Sequence, residues 1–132
     1  SYNNTVTVML SSMEEKLESM MKLIDRISAA TGALKAQGTD VSRVESDLSN
    51  AQAKVSSALF AVHTLAESLP TALTVHSEET AKEDVLQAIT DVKSQVVPVR
   101  TAFAEARDAV GLALTDLENL TDAVQVGLWP ER

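Results

Sequence analysis

The feature that most constrains this fold is an unbroken heptad pattern in the C-terminal half of the chain. Between Val85 and Val124, apolar residues recur at alternating intervals of four and three residues with no slip in phase. Such spacing places them on one stripe of an α-helix, which packs along its length against neighbouring helices. The positions of this third-helix seam are Val85, Ile89, Val92, Val96, Val99, Phe103, Ala106, Val110, Ala113, Leu117, Leu120 and Val124.

Two shorter heptad patterns precede this seam and predict helices over residues 12–37 and 40–69. Gly38 is predicted to end the first helix in the left-handed conformation, and Asp40 is predicted to cap the start of the second. A connection this short requires the two helices to be antiparallel neighbours. Pro70 is predicted to end the second helix.

The third helix is predicted over residues 78–126, and Gly127 closes it. Either Ser77, followed by two glutamates, or Thr80, with Glu83 three residues later, is predicted to cap its start. Pro98 lies inside it and removes one helical hydrogen bond, so it could divide the helix and produce a four-helix bundle. However, the heptad phase passes through Pro98 unbroken and no turn residue stands beside it. These two observations favour one kinked helix.

The predicted fold class is therefore all-α: an antiparallel helical hairpin and one long kinked third helix form a coiled-coil-like three-helix bundle over residues 11–132. Aromatic residues make up only 3% of the chain, which suits close helix–helix layers. Residues 1–10 are uncharged, and Val6, Val8 and Leu10 alternate with polar or thioether side chains. This alternation predicts an extended N-terminal segment that must pair with another surface to be stable.

The predicted helix lengths suggest how such a pairing arises. A hairpin about 40–45 Å tall and a third helix of roughly 75 Å would leave an overhang of about 25–30 Å beyond the Gly38 turn. The apolar stripe on this overhang would face water in a monomer, and residues 1–10 of a neighbouring copy could cover it. The predicted assembly interface consists of Val6, Val8, Leu10, Val110, Ala113, Leu117, Leu120, Val124 and Trp129.

Composition and motifs argue against several function classes. The net charge of -8 disfavours nucleic acids and anionic membrane surfaces as partners, and no apolar run is long enough for membrane insertion. The chain has no cysteine and no nucleophile elbow, phosphate loop or zinc-ligand spacing. His63 and Glu67, four residues apart, are interpreted as a solvated pair and not as a metal site. We expect no catalytic, cofactor-binding or metal-binding residues, and no enzymatic activity.

Two segments also carry a resemblance to known sequences. The hairpin turn GTDVS at residues 38–42 and the helical segment VRTAFAEARDA at residues 99–109 resemble those of uncharacterised, predicted-secreted helical proteins of candidate-phyla bacteria. The resemblance implies export and an all-helical fold, and it implies no activity. A chain that begins at Ser1 with native-like sequence is consistent with a mature protein whose signal peptide has been removed, although a trimmed chain is the alternative.

The leading hypothesis is a non-enzymatic structural subunit of a homopolymeric, filament-like assembly, secreted or at the cell surface. A contact that joins two different surfaces does not close on itself and so generates a filament. The alternative is a soluble helical module that receives one helix of a partner protein in its exposed seam. A third possibility is a compact four-helix monomer broken at Pro98.

Overall fold

The computed structural model describes residues 2–74 and 82–128, which form three helices: α1 (Tyr2–Ala36), α2 (Ser42–Thr74) and α3 (Lys82–Leu128). The described residues contain no strand, and α2 runs antiparallel to both of its neighbours, with the most extensive pairing between α2 and α3. The predicted all-α three-helix bundle is confirmed.

A single hydrophobic core runs along the bundle and takes residues from the seams of all three helices. Alanines without exposed surface recur in it, and their small side chains allow the helix backbones to approach closely. The core residues with no exposed surface are Leu17, Ala51, Ala58, Val92, Ala106 and Ala113.

The turn between α1 and α2 follows its sequence signals closely. Gly38 has a φ of 88°, and its N–H donates to the carbonyl of Lys35 at 2.9 Å, while the Thr39 N–H donates to the carbonyl of Leu34 at 3.1 Å. These two bonds form a Schellman motif. The Asp40 carboxylate then accepts the hydroxyl of Ser42 at 2.8 Å and its backbone N–H at 3.1 Å. Both hydrogen bonds lower the pKa of Asp40, and the bond from the Ser42 hydroxyl has the larger effect.

The N-terminal segment differs from its prediction, because α1 begins at Tyr2 and residues 2–10 are helical. Val6 and Leu10 are four residues apart and continue the heptad phase of α1 into Leu17, so helix formation buries both, leaving them 4% and 3% exposed. Val8 falls on the outer side of the helix and is 67% exposed. The extended segment over residues 1–10 was a wrong prediction, since alternation over so few residues also contains the four-residue spacing of a helix.

The helix ends were also predicted too short. α2 continues through Pro70 to Thr74, because a proline removes only one helical hydrogen bond and Pro70 lies close to the end of the helix. α3 extends past Gly127 to Leu128, a tolerable cost of about 1 kcal/mol for a helical glycine. It begins at Lys82, and the two predicted caps, Ser77 and Thr80, lie outside the described residues.

α3 is one helix through Pro98, so the four-helix alternative is wrong. Pro98 is exposed, as its heptad position predicts, and it therefore disturbs little packing. Hydroxyl groups bond to backbone carbonyls on both sides of it: Ser94 donates to Asp91 at 2.9 Å, and Thr101 donates to Val97 at 3.1 Å. The kink itself stays a prediction.

Candidate interaction surfaces

Most of the predicted assembly interface lies inside the bundle. Val110, Ala113 and Leu117 are 3%, 0% and 8% exposed, and they belong to the same core as Val6 and Leu10. The prediction that this stripe faces water is therefore wrong. The remaining residues of the predicted interface are Val8, which is exposed, Leu120 and Val124, which are half-buried, and Trp129, which lies outside the described residues.

The stripe is buried because of the register of α3 against the hairpin, which places Asp116 beside Arg43 near the turn. At 35 and 33 residues, α1 and α2 each span about 50 Å, against about 70 Å for the 47 residues of α3. Asp40 and Ala123 line the same groove, so α3 passes the turn by only about 8 Å. Its excess length lies at the other end, where Val85 and Leu86 are 41% and 54% exposed.

His63 was interpreted as a surface residue paired with Glu67, and the structure gives it a different partner. Its Nε2 lies 3.1 Å from Oε2 of Glu14, which joins α2 to α1. The His63 and Glu14 side chains are 54% and 42% exposed, so this is a surface contact. Residues 2–74 and 82–128 contain no group of three side chains that could hold a metal ion, and no helix among them is long and apolar enough to cross a membrane.

A carboxylate pair joins α2 to α3 near the turn. Oδ2 of Asp47 is buried and has no hydrogen-bond partner, while the Asp116 side chain opposite it is only 16% exposed. A hydrogen bond to Asp116, which can form only when one of the two carboxyl groups is protonated, raises the pKa of Asp47, and burial and the like charge of Asp116 act in the same direction. Arg43, whose Nε is 3.8 Å from Oδ2 of Asp116, opposes this rise. When both groups are ionised, the two carboxylates repel each other at this contact.

The outer groove between α2 and α3 is apolar around Pro98. Two cavities of about 410 and 400 Å³ adjoin there, and Pro98 lines both. Phe60, on the α2 side, is 74% exposed. An ion pair between Lys54 and Glu105, 3.1 Å apart, bounds the first cavity. The groove is open and shallow, the shape that suits a helix more than a small molecule.

A basic stripe follows the side of α3 that faces α1. Lys93, Arg100 and Arg107 recur every seven residues, and Nη2 of Arg100 lies 3.6 Å from Sδ of Met9 on α1. Lys16 lies seven residues after Met9, so it is on the flank of α1 that faces α3. All four cations are exposed, and Lys16 and Lys93 have no ion-pair partner among the described residues. We call Lys16, Lys93, Arg100 and Arg107 the basic stripe.

An acidic stripe follows the opposite flank of α1, the one that faces α2. Glu14 marks this flank through its contact with His63, and Glu18 and Asp25 lie four and eleven residues further along. Asp25 also lines a cavity of about 250 Å³ together with Met21. Glu18 and Asp25 have no ion-pair partner in the described part of the chain. Glu14, Glu18 and Asp25 form what we call the acidic stripe. The two flanks of α1 therefore differ in the sign of their charge.

The two stripes could have been recognised in the sequence, although the apolar pattern of the heptad seams is more conspicuous. Charges that recur every seven residues beside an apolar seam lie on one flank of the helix, as Lys93 and Arg100 do. The Asp47–Asp116 pair has no comparable signal, because its residues meet only through the register of α2 against α3.

The chain was compared with protein-family models, with curated proteins and with solved structures, and none of the three comparisons finds a match.

Proposed function

We propose that this chain is a non-enzymatic structural subunit of a homopolymer. The observation that supports this best is the basic stripe beside α3, on a chain whose net charge is -8 and whose acidic stripe lies on the other flank of α1. A second copy of the same chain supplies the acidic surface that the basic stripe attracts, and no other partner is needed.

Two different surfaces that bind each other leave one of each free after every step. Addition of copies therefore continues until a ring closes or a filament grows. Because the apolar stripe at the C-terminal end of α3 is buried, the contact runs along the sides of the bundle and not from end to end. Val8 remains a candidate for a peripheral contact, since it is an exposed apolar side chain on the outer side of α1.

We place this assembly outside the cell as part of the same proposal. The support is the resemblance of the hairpin turn and of residues 99–109 to predicted-secreted helical proteins. Immunodetection of the protein in culture supernatant and surface fractions of its native cells tests this placement, and a protein found only inside the cell would contradict it.

Sedimentation of the purified chain over a wide concentration range tests self-assembly. We expect the average mass to rise with protein concentration, to fall as salt is added, and to be accompanied by polymers in negative-stain images. Salt screens contacts between exposed charges, so the same chain at high salt is the matched control. A monomer at every concentration in low salt would refute the homopolymer.

The second candidate function is a binding module that receives one helix of another protein in the groove around Pro98. The observation that favours it is Phe60, a large apolar side chain that is 74% exposed beside this groove. An amphipathic partner helix would cover Phe60 and Pro98 together. Phe60→Ser distinguishes the two functions, because it should abolish capture of such a helix and leave self-association unchanged.

A further inference from the structure

We propose that two copies of this chain associate through an antiparallel contact between α1 of one copy and α3 of the other, in one register. In this register Glu18 meets Arg100 of the second copy, Met21 meets Val97, and Asp25 meets Lys93. The inference rests on the proposed homopolymer and specifies which surfaces join it.

The first argument is the match of charge and spacing. Along α1, an acid, an apolar residue and an acid stand at Glu18, Met21 and Asp25, at intervals of three and four residues. Read in the reverse direction, α3 presents Arg100, Val97 and Lys93 at the same intervals, with the opposite charges. Residues seven apart lie about 10.5 Å apart on one side of a helix, so the two acids can pair with the two bases in either direction, but only the antiparallel direction also places Met21 level with Val97.

The second argument is that these side chains are free to be covered. Met21 and Val97 are 46% and 62% exposed, although each is a large apolar residue, and the four charged residues are also exposed. Covering Met21 with Val97 removes apolar surface from water on both copies. The contact therefore combines charge attraction with apolar burial.

The same register extends one heptad further and pairs a protruding residue with a small one. Leu86 lies seven residues before Lys93 and is 54% exposed. Gly32 lies seven residues after Asp25, and apart from its chain neighbours and the backbone of its own helix no atom lies within 4 Å of the position that a Cβ would occupy there. Leu86 of one copy therefore has room to pack over Gly32 of the other. In a parallel arrangement Gly32 would instead lie opposite Arg107, and Leu86 opposite Ser11.

The acidic and basic surfaces lie on different faces of the bundle. A contact between two copies therefore leaves the basic surface of one copy and the acidic surface of the other free. Each copy binds one neighbour through α1 and another through α3, and successive copies alternate in direction. The assembly that results is lateral, with bundles side by side.

Cysteine trapping tests this register directly, because the chain contains no cysteine. Met21→Cys and Val97→Cys are prepared as separate full-length proteins, mixed in equal amounts at a concentration where the wild type associates, and mildly oxidised. A disulfide requires the two Cα atoms to approach within about 7 Å, so we expect a covalent heterodimer. The matched control replaces Val97→Cys by Phe60→Cys on α2, where the native side chain is 74% exposed against 62% for Val97, and it should give little product. Equal yields in the two mixtures would overturn the inference.

Charge reversal provides the second test. Glu18→Lys/Asp25→Lys and Lys93→Glu/Arg100→Glu should each weaken self-association by about tenfold or more, and an equimolar mixture of the two should associate again. Circular dichroism controls for the fold, which exposed substitutions should leave intact.

If the wild type associates and neither variant weakens this self-association, the register is wrong and the homopolymer stands. If the wild type stays monomeric, the homopolymer fails and the register fails with it. If the Lys93→Glu/Arg100→Glu variant loses only binding to an oligonucleotide, the basic stripe serves another polyanion and the inference is overturned.

Discussion

Asp47→Asn is expected to stabilise the bundle at neutral pH. Oδ2 of Asp47 is buried without a hydrogen-bond partner, and the Asp47 side chain lies beside the like charge of Asp116. Asparagine has nearly the same shape, removes one of the two like charges, and provides an N–H₂ group that donates to Asp116. An unsatisfied buried polar group costs about 1–3 kcal/mol, so we expect the free energy of unfolding to increase by about 1–2 kcal/mol. With an unfolding entropy of about 2.1 cal/mol/K per residue over 132 residues, Tm should rise by about 4–7 °C.

The pH dependence identifies the cause of this gain. The pKa of Asp47 is raised in the folded chain, so the stability that its protonated form provides is complete below the ordinary value of 3.8 and is lost as the pH rises through the raised pKa. The asparagine of the Asp47→Asn variant has no proton to lose, so the variant's advantage over the wild type should be largest at neutral pH and should shrink as the pH falls toward 3.8. Urea unfolding followed by circular dichroism over this pH range measures the difference.

Asp108→Asn is the matched control. It removes the same charge from the middle of α3, where the Asp108 side chain is 75% exposed, and it should change the free energy of unfolding by no more than about 0.5 kcal/mol. A loss of stability in Asp47→Asn at neutral pH, or a gain that is the same at every pH, would show that the two carboxylates do not repel each other in the folded chain.

Three further substitutions test the fold. Val6→Asp should destabilise the bundle by about 3 kcal/mol or more and Val8→Asp by less than about 0.5 kcal/mol in urea unfolding, because only Val6 is buried; equal effects would contradict a helical N-terminus. Pro98→Ala should keep α3 as one helix and raise the free energy of unfolding by up to about 3 kcal/mol, whereas a changed helix content by circular dichroism would refute this. Gly38→Ala should cost about 1 kcal/mol in the same assay, because φ is 88° there, and a neutral result would argue against the Schellman turn.

The sequence by itself determined the number, order and direction of the helices. The heptad seams are local patterns of apolar residues, and helix geometry converts each into one packing stripe without knowledge of the partner. The turn at Gly38 and Asp40 was equally predictable, because its hydrogen bonds join residues that are close in sequence. Pro98 was correctly placed inside one helix for the same reason, since the seam keeps its phase across it.

The tertiary structure alone decided where the helices end and which surfaces remain exposed. Leu10 and Leu117 could be assigned to a core or to an interface only once the relative heights of the helices were known, because burial depends on what lies alongside. Val6 and Val8 alternate with threonines as they would in a strand. In the folded bundle this segment is helical, so Val6 is buried and Val8 is exposed. The Asp47–Asp116 pair likewise exists only through the register of two helices, since its members are distant in sequence and nothing in their neighbourhoods connects them.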